Sequence, residues 1–133
     1  MRERHGFSLM GGEKVKLFSI TDVGRRREIN EDYLFTSDKP VGNLPNLFIV
    51  ADGMGGHNAG DYASKHAVDK AVSVIEQYTD EHDPENILQK AIDDANTHIN
   101  KISRQDRKYK GMGTTFVAVT FEGSHVTVAN VGD

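Results

Sequence analysis

From residue 47 the chain reads Leu47-Phe48-Ile49-Val50-Ala51-Asp52-Gly53-Met54-Gly55-Gly56-His57. Five apolar residues lead to a single carboxylate, and three glycines follow it within four positions. A short apolar run of this kind predicts a buried strand. Glycine lets the backbone approach a ligand closely, so the pattern predicts a metal or phosphate site at the end of that strand.

The composition is that of one globular domain. The chain has 133 residues, 27% of them charged, and a formal net charge of -4, which argues against a nucleic-acid footprint. There is no cysteine, so any metal must bind to oxygen or imidazole, and a cytoplasmic location is expected. The longest apolar run, Leu47 to Ala51, is too short for a signal sequence or a membrane span.

Alternating apolar and polar residues predict several strands. Val15–Thr21 and Asp32–Ser37 alternate, and Leu47–Ala51 is the candidate central strand. Thr114–Phe121 and His125–Val131 alternate on either side of a glycine-containing turn and predict a β-hairpin.

Two helices are predicted between these groups of strands. Helical spacing begins at Ala59, with Asn58 as the cap, and begins again after the pair Asp83-Pro84. The resulting order, βββααββ, predicts an α+β fold in which helices cover one face of a sheet. Residues 1–13 are expected to be a flexible tail, and residues 14–133 a domain that is cut within a larger fold.

Acidic residues fall at the ends of three predicted strands: Glu31 and Asp32, Asp52, and Asp133. Carboxylates that converge from several strand ends suit magnesium or manganese, which prefer oxygen ligands and retain several waters. Taken singly, an aspartate before a glycine is most often a turn residue.

Two further kinds of residue are candidates for chemistry. Arg25, Arg26 and Arg27 are typical of a solvated loop, but an arginine beside an acidic metal site can hold a phosphate with its planar fork. His57 adjoins the glycines and is therefore a candidate proton donor or substrate contact. His66 and His98 lie within predicted helices, which favours a packing role.

Four motifs together resemble the metal-dependent serine/threonine protein phosphatases of the 2C type, in their bacterial form. The motifs are, in order, Thr21-Asp22-Val23-Gly24 continuing through Arg27 to Asn30-Glu31-Asp32, then Val50 to His57, then Gly111-Met112-Gly113-Thr114-Thr115, and finally Ala129-Asn130-Val131-Gly132-Asp133. The resemblance runs from about Lys16 to the last residue, in the order and spacing of the family.

The resemblance implies a fold and a metal centre. The fold would be an antiparallel β-sandwich flanked by helices, in α-β-β-α layers, of which this chain carries the N-terminal half. Two divalent cations, manganese or magnesium, would lie in a cleft at one end. Asp52 would bridge both metals, and the Gly53 carbonyl would bind one of them. Glu31 and Asp32 would bind metal-bound waters or a metal directly.

The resemblance also implies roles around that centre. Arg27 would grip the substrate phosphate, and Asp133 would bind a third, weaker metal. Met54 stands where eukaryotic members carry a histidine that is proposed as general acid, and a methionine cannot transfer a proton. Any acid would then be a metal-bound water, His57 or a group outside this chain.

The implied reaction is hydrolysis of phosphoserine or phosphothreonine on proteins by a water that bridges two metals, opposing a serine/threonine kinase. Because family members continue well beyond the Asp133 motif and supply two further aspartates there, this chain alone is expected to be weakly active or inactive. The alternative is an inactive phosphatase-like fold that acts as an interaction module or relic. Self-association through exposed edges is expected in either case.

Overall fold

The structure is a computed structural model. It describes residues 2–8, 25–29, 32–55 and 57–131, with side chains for 32–55 and 59–131. The described backbone forms one antiparallel sheet, whose strand order is β1-β6-β5-β4-β3-β2, and two helices. The elements are β1 Arg2–Ser8, β2 Arg25–Ile29, β3 Asp32–Ser37, β4 Leu47–Met54, α1 His57–Gln77, α2 Pro84–Gln105, a 3-10 turn Arg107–Tyr109, β5 Gly113–Glu122 and β6 His125–Val131.

The predicted central strand lies within the sheet, where β4 pairs with β3 on one side and β5 on the other. Its side chains alternate in burial: Leu47, Ile49 and Ala51 are buried, whereas Val50 is 49% exposed. The apolar run at residues 47–51 therefore covers two different surfaces. One face of β4 is core, and the other is an apolar face open to solvent.

Both helices pack on the buried face. In α1 the stripe that faces the sheet is made largely of alanine and valine, which allows the helix to approach the strands closely; its fully buried members are Ala63, Ala67, Val68, Ala71, Val72 and Ile75. Helix α2 begins as predicted: the Asp83 side chain accepts a hydrogen bond of 3.0 Å from the Glu85 amide, and Pro84 is the first helical residue. Among the described residues, no helix is long and apolar enough to cross a membrane.

The α+β class, the strand Asp32–Ser37, the second helix and the hairpin are confirmed, while three boundaries differ. Helix α1 begins at His57, so Asn58 lies inside the helix and is not its cap. Strand β4 continues past Ala51 to Met54. The first hairpin strand, predicted as Thr114–Phe121, runs from Gly113 to Glu122, and the turn follows at Gly123, whose φ of +61° suits glycine.

Two stretches form strands where the sequence predicted none, and both lie at the edges of the sheet. Arg2–Ser8, which falls within the predicted tail, pairs along its whole length with β6, and Arg25–Ile29, predicted as a loop, pairs with β3. The physical reason is the same in both cases. An edge strand exposes unpaired N–H and C=O groups, and a neighbouring segment of polar sequence can satisfy them without an apolar pattern of its own. The predicted strand Val15–Thr21 lies outside the described residues.

Candidate metal centre

The acidic candidates that the structure describes meet at one end of the sheet. Asp32, the first residue of β3, lies directly opposite Asp52 in β4, and Asp52 lies opposite Thr115 in β5. The last residue of β2, Ile29, pairs with Asp32 in the same row. Strand pairing over four strands thus brings together residues that are more than 80 positions apart in the sequence.

The two aspartates lie on the face of the sheet away from the helices. Asp52 follows the exposed Val50 in the alternation of β4 and is itself exposed, while Asp32 is partly buried. Residues directly opposite on antiparallel strands have Cα atoms about 4.5–5.5 Å apart, so both carboxylates can reach one cation. Paired carboxylates offer oxygen ligands of the kind that hard divalent cations prefer. The pair therefore fits a divalent cation.

The two described carboxylates make only part of a metal centre. Within residues 32–55 and 59–131, no group of three or more histidine, aspartate or glutamate side chains could hold a metal ion. Magnesium can be held by one or two carboxylates when water completes its coordination, so the donor set fits a weakly held, largely hydrated ion.

Gly53 is the point at which α1 packs against β4. A Cβ atom at Gly53 would lie 1.8 Å from the Gly60 carbonyl oxygen and 2.9 Å from the Gly60 Cα. The start of the helix and the end of the strand therefore touch backbone to backbone. This contact fixes the position of α1 relative to Asp52, the residue before Gly53.

Gly55 is required for a second close approach. Its φ is +119°, and a Cβ there would lie 2.8 Å from the Met112 Cα. The sequence suggested close approach to a ligand, whereas the structure shows that Gly53 and Gly55 approach the backbone of this same chain. The glycines place the loop after Asp52 between α1 and the segment that leads into β5.

Thr115 and Gly60 have structural roles that were not predicted from the sequence. Thr115 donates a long hydrogen bond of 3.4 Å to the Asp52 carbonyl oxygen, which ties the site strand to β5. Gly60 lies in the first turns of α1, where glycine costs about 1 kcal/mol relative to alanine. That local penalty is the sequence signal that could have marked Gly60 as a contact position.

Of the remaining predicted site residues, the structure gives backbone positions for some and describes nothing of the others. Arg27 lies in β2, with its backbone opposite Leu34, and His57 is the first residue of α1. Glu31 and Asp133 lie outside the described residues, and so their predicted roles stay predictions. β6, which leads toward Asp133, ends at Val131 opposite Phe116 in β5, one position from Thr115.

Met54 closes β4 at the rim of the site. Its side chain is 49% exposed and lines a cavity of about 180 Å³ together with Ile99, Met112 and Phe116. This cavity lies between the sheet end and α2 and is mainly apolar. Its lining includes neither Asp32 nor Asp52, and its polar members, Asn96, Asn100 and Thr114, carry no charge.

One histidine from each helix, His66 and His98, belongs to a packed aromatic group. The Tyr62 ring stacks on those of His66 and Tyr109, with ring centroids 3.8 Å and 4.1 Å apart. The ring centroids of His66 and His98 are 6.3 Å apart. Burial lowers the pKa of both histidines; a weaker effect of Asp69 raises the pKa of His66, and Lys70 and Lys101 lower that of His98 further. The predicted packing role of these histidines agrees with this geometry.

Residues 23–133 match the sequence profile of the family described as Protein phosphatase 2C. Because the match covers most of the chain, the chain belongs to this family, and the resemblance noted in the sequence is confirmed. Relatives that the chain matches are named as serine/threonine phosphatases or protein phosphatases.

Individual relatives agree with this assignment. A serine/threonine phosphatase, Stp, of Listeria monocytogenes is 43% identical over 116 residues, which are 85% of this chain and 45% of the relative. The crystal structure of Stp1 from Staphylococcus aureus superimposes with a TM-score of 0.66 at 34% identity, over 100% of this chain and 47% of that one. The catalytic domain of the phosphatase PstP, solved with two manganese ions, gives a TM-score of 0.64 at 26% identity, over 99% and 48% of the two chains. The chain thus spans about half the length of the relatives it matches.

Proposed function

We propose that residues 14–133 are the N-terminal portion of a catalytic domain that hydrolyses phosphoserine and phosphothreonine on proteins with the help of divalent metal ions. The observation that carries this proposal is the direct pairing of Asp32 and Asp52 on the open face at the end of the sheet. The same end carries the loop whose glycines hold α1 against β4. The family membership supplies the reaction class.

Manganese or magnesium is the proposed cofactor. Two such ions, with a third and weaker one at Asp133, would be held by the carboxylates of Glu31, Asp32 and Asp52 and by the Gly53 carbonyl. When bound, the ions would supply positive charge to the phosphate oxygens and lower the pKa of water. The structure of PstP with two manganese ions supports this choice of metal by analogy.

The residues of this chain would bind and orient the substrate around those ions. Asp52 supplies negative charge at the centre of the sheet end, where its main chain is tied to β5 through Thr115. Arg27 would bind the substrate phosphate through its guanidinium fork. Met54, at the rim, can contribute apolar contact but no proton, and so His57 is the residue proposed to donate one among those of this chain.

The 133-residue chain is proposed to carry only part of the metal centre. The chain spans about half of its relatives and offers two described carboxylates, so the 133-residue chain alone is expected to bind manganese weakly and turn over phosphoesters poorly. The test is hydrolysis of para-nitrophenyl phosphate with manganese. Clear manganese-dependent turnover by the pure chain, lost in Asp52→Ala, would contradict the partial site while supporting the role of Asp52.

The second candidate is a non-catalytic interaction module, and the open face of the sheet favours it. Val50 and Val117 lie side by side there and are 49% and 38% exposed. An apolar sheet face of this kind promotes self-association. The DNA sequence downstream of Asp133 separates the candidates: an open frame with two further aspartate motifs supports the enzyme, and a stop codon supports the module.

Substrates and setting belong to the same proposal. The partner class is phosphorylated proteins, with a serine/threonine kinase as the opposing enzyme, and the proposed location is the cytoplasm.

A further inference from the structure

A cluster of positive charge lies at the C-terminal end of α2 and in the turn that follows. Between residues 101 and 110 the side chains of five basic residues are exposed: Lys101, Arg104, Arg107, Lys108 and Lys110. The one acid in this stretch, Asp106, accepts a hydrogen bond of 3.1 Å from the Lys108 amide and so caps the 3-10 turn. We call residues 101–110 the basic segment.

The charges of the basic segment are not neutralised within the described part of the chain. Among the described side chains, an ion pair joins Lys90 to Asp94, ahead of the segment, and none is shown for the five basic residues. Lys108 lies over the ring of Tyr109 at 5.5 Å, which holds the turn but leaves the ammonium group in solvent. The segment carries a charge of +4 in a chain whose net charge is -4. Such a concentration of one sign is a candidate binding surface.

A shallow groove over the two helices adjoins the basic segment, with which it shares Lys101. The groove has a volume of about 250 Å³ and is lined by Lys70 on α1 and by Asp94, Thr97, His98 and Lys101 on α2. Two of the lining residues are lysines and one is an acid, Asp94, which is paired with Lys90, so the lining carries a net positive charge. The positive surface therefore spans two helices and is not a single solvated helix edge.

The basic segment is close to the proposed metal centre along the chain. It leads through Gly111 and Met112 into β5, whose Thr115 lies opposite Asp52. Lys110 and Thr115 are five residues apart, so they are separated by at most about 17 Å of extended chain. A peptide whose phosphate lay at Asp52 could reach the basic segment with a residue roughly five positions away.

We propose that the basic segment binds acidic residues that flank the phosphorylated side chain of the substrate protein. This inference rests on the proposed function and adds a substrate class to it: phosphosites followed or preceded by aspartate or glutamate at about five residues. Charge complementarity selects the partner. A chain that is negative as a whole attracts a short acidic peptide locally and repels a long polyanion such as a nucleic acid.

The test measures peptide binding, which is independent of catalysis. A fluorescein-labelled peptide with four glutamates is compared by anisotropy with the same peptide carrying four glutamines, both without phosphate. The whole 133-residue chain is expected to bind the glutamate peptide more tightly, with affinity falling as salt is added. The variant Arg107→Gln/Lys110→Gln is expected to lose about fivefold of that preference. The matched control, Lys39→Gln/Lys65→Gln, removes the same charge elsewhere and is expected to keep it.

Three results would overturn the inference: equal binding of the two peptides, equal loss in the control variant, or tighter binding of an oligothymidine of the same charge. These failures are distinguishable from failure of the proposed function. Manganese binding through Asp52 does not involve residues 101–110, so intact manganese binding without a glutamate preference rejects the acidic-peptide surface alone. Lost manganese binding with the glutamate preference intact rejects the proposed metal centre and supports the surface.

Discussion

The contact between Gly53 and Gly60 makes Gly53→Ala a sharp test of how the site is built. A new Cβ would lie 1.8 Å from the Gly60 carbonyl oxygen, whereas ordinary van der Waals contact begins at about 3.4 Å, so the backbones must separate by more than 1 Å. Overpacking of this kind lowers the free energy of unfolding by about 1–3 kcal/mol. The upper end is expected here, because both sides of the contact are backbone. Helix α1 would move away from the strand that carries Asp52.

Gly113→Ala is the matched control, because it adds the same methyl group to β5 at the same end of the sheet. There a Cβ would lie 3.7 Å from the Met54 side chain, an ordinary contact. Gly113→Ala is expected to be neutral or to stabilise by about 0.4–1 kcal/mol through the unfolded chain. Urea denaturation followed by circular dichroism measures both variants. A Gly53→Ala protein within about 0.5 kcal/mol of the wild type would refute the close-contact argument.

Three further predictions follow from named contacts. Asp83→Ala removes the cap of α2 and is expected to cost about 1 kcal/mol in urea denaturation; an unchanged midpoint would contradict the capping role. Burial lowers the pKa of His66 and His98 in the folded chain, so in the pH range below 6.5 the unfolded chain binds more protons than the folded chain does. The free energy of unfolding is therefore expected to fall as the pH drops from above 6.5 toward the lowered pKa values. A double variant with glutamine at both positions should lose this part of the pH dependence. Val50→Lys/Val117→Lys places charge on the open sheet face and is expected to reduce self-association in light scattering; a wild-type protein that is strictly monomeric would contradict the use of this face.

The parts of the fold that the sequence predicted are those encoded by local signals. The pair Asp83-Pro84 carries a cap and a first-turn proline in adjacent residues, and β3 was predicted at its observed boundaries from alternation alone. Strands β1 and β2 were missed, because they are held by pairing with the edges of the sheet and have no apolar pattern of their own. Helix α1 begins at His57, before the expected cap, since the contact at Gly60 anchors its first turns to β4.

In the candidate site, too, the sequence predicted some residues and could not explain others. Asp52 was predicted from its position after an apolar run, and β3 brings Asp32 opposite it. The sequence could not show that Gly53 and Gly55 serve the packing of this chain, because their partners, Gly60 and Met112, are distant in sequence or lie in another element. The metal-binding role of the acids named from the sequence motifs stays a prediction, whereas tertiary contacts explain the glycines between them.

Manganese binding by paired carboxylate variants tests the central claim most directly. The claim is that Asp32 and Asp52, opposite each other at the sheet end, together hold a divalent cation. Titration of the chain with manganese, followed by the paramagnetic resonance signal of the free ion, is expected to show weak binding that falls about tenfold or more in Asp52→Asn and in Asp32→Asn, since each removes one of few charged ligands. Asp38→Asn, which removes an exposed acid at the opposite end of β3, is expected to bind as the wild type does. Equal manganese affinity in all four proteins would contradict the claim.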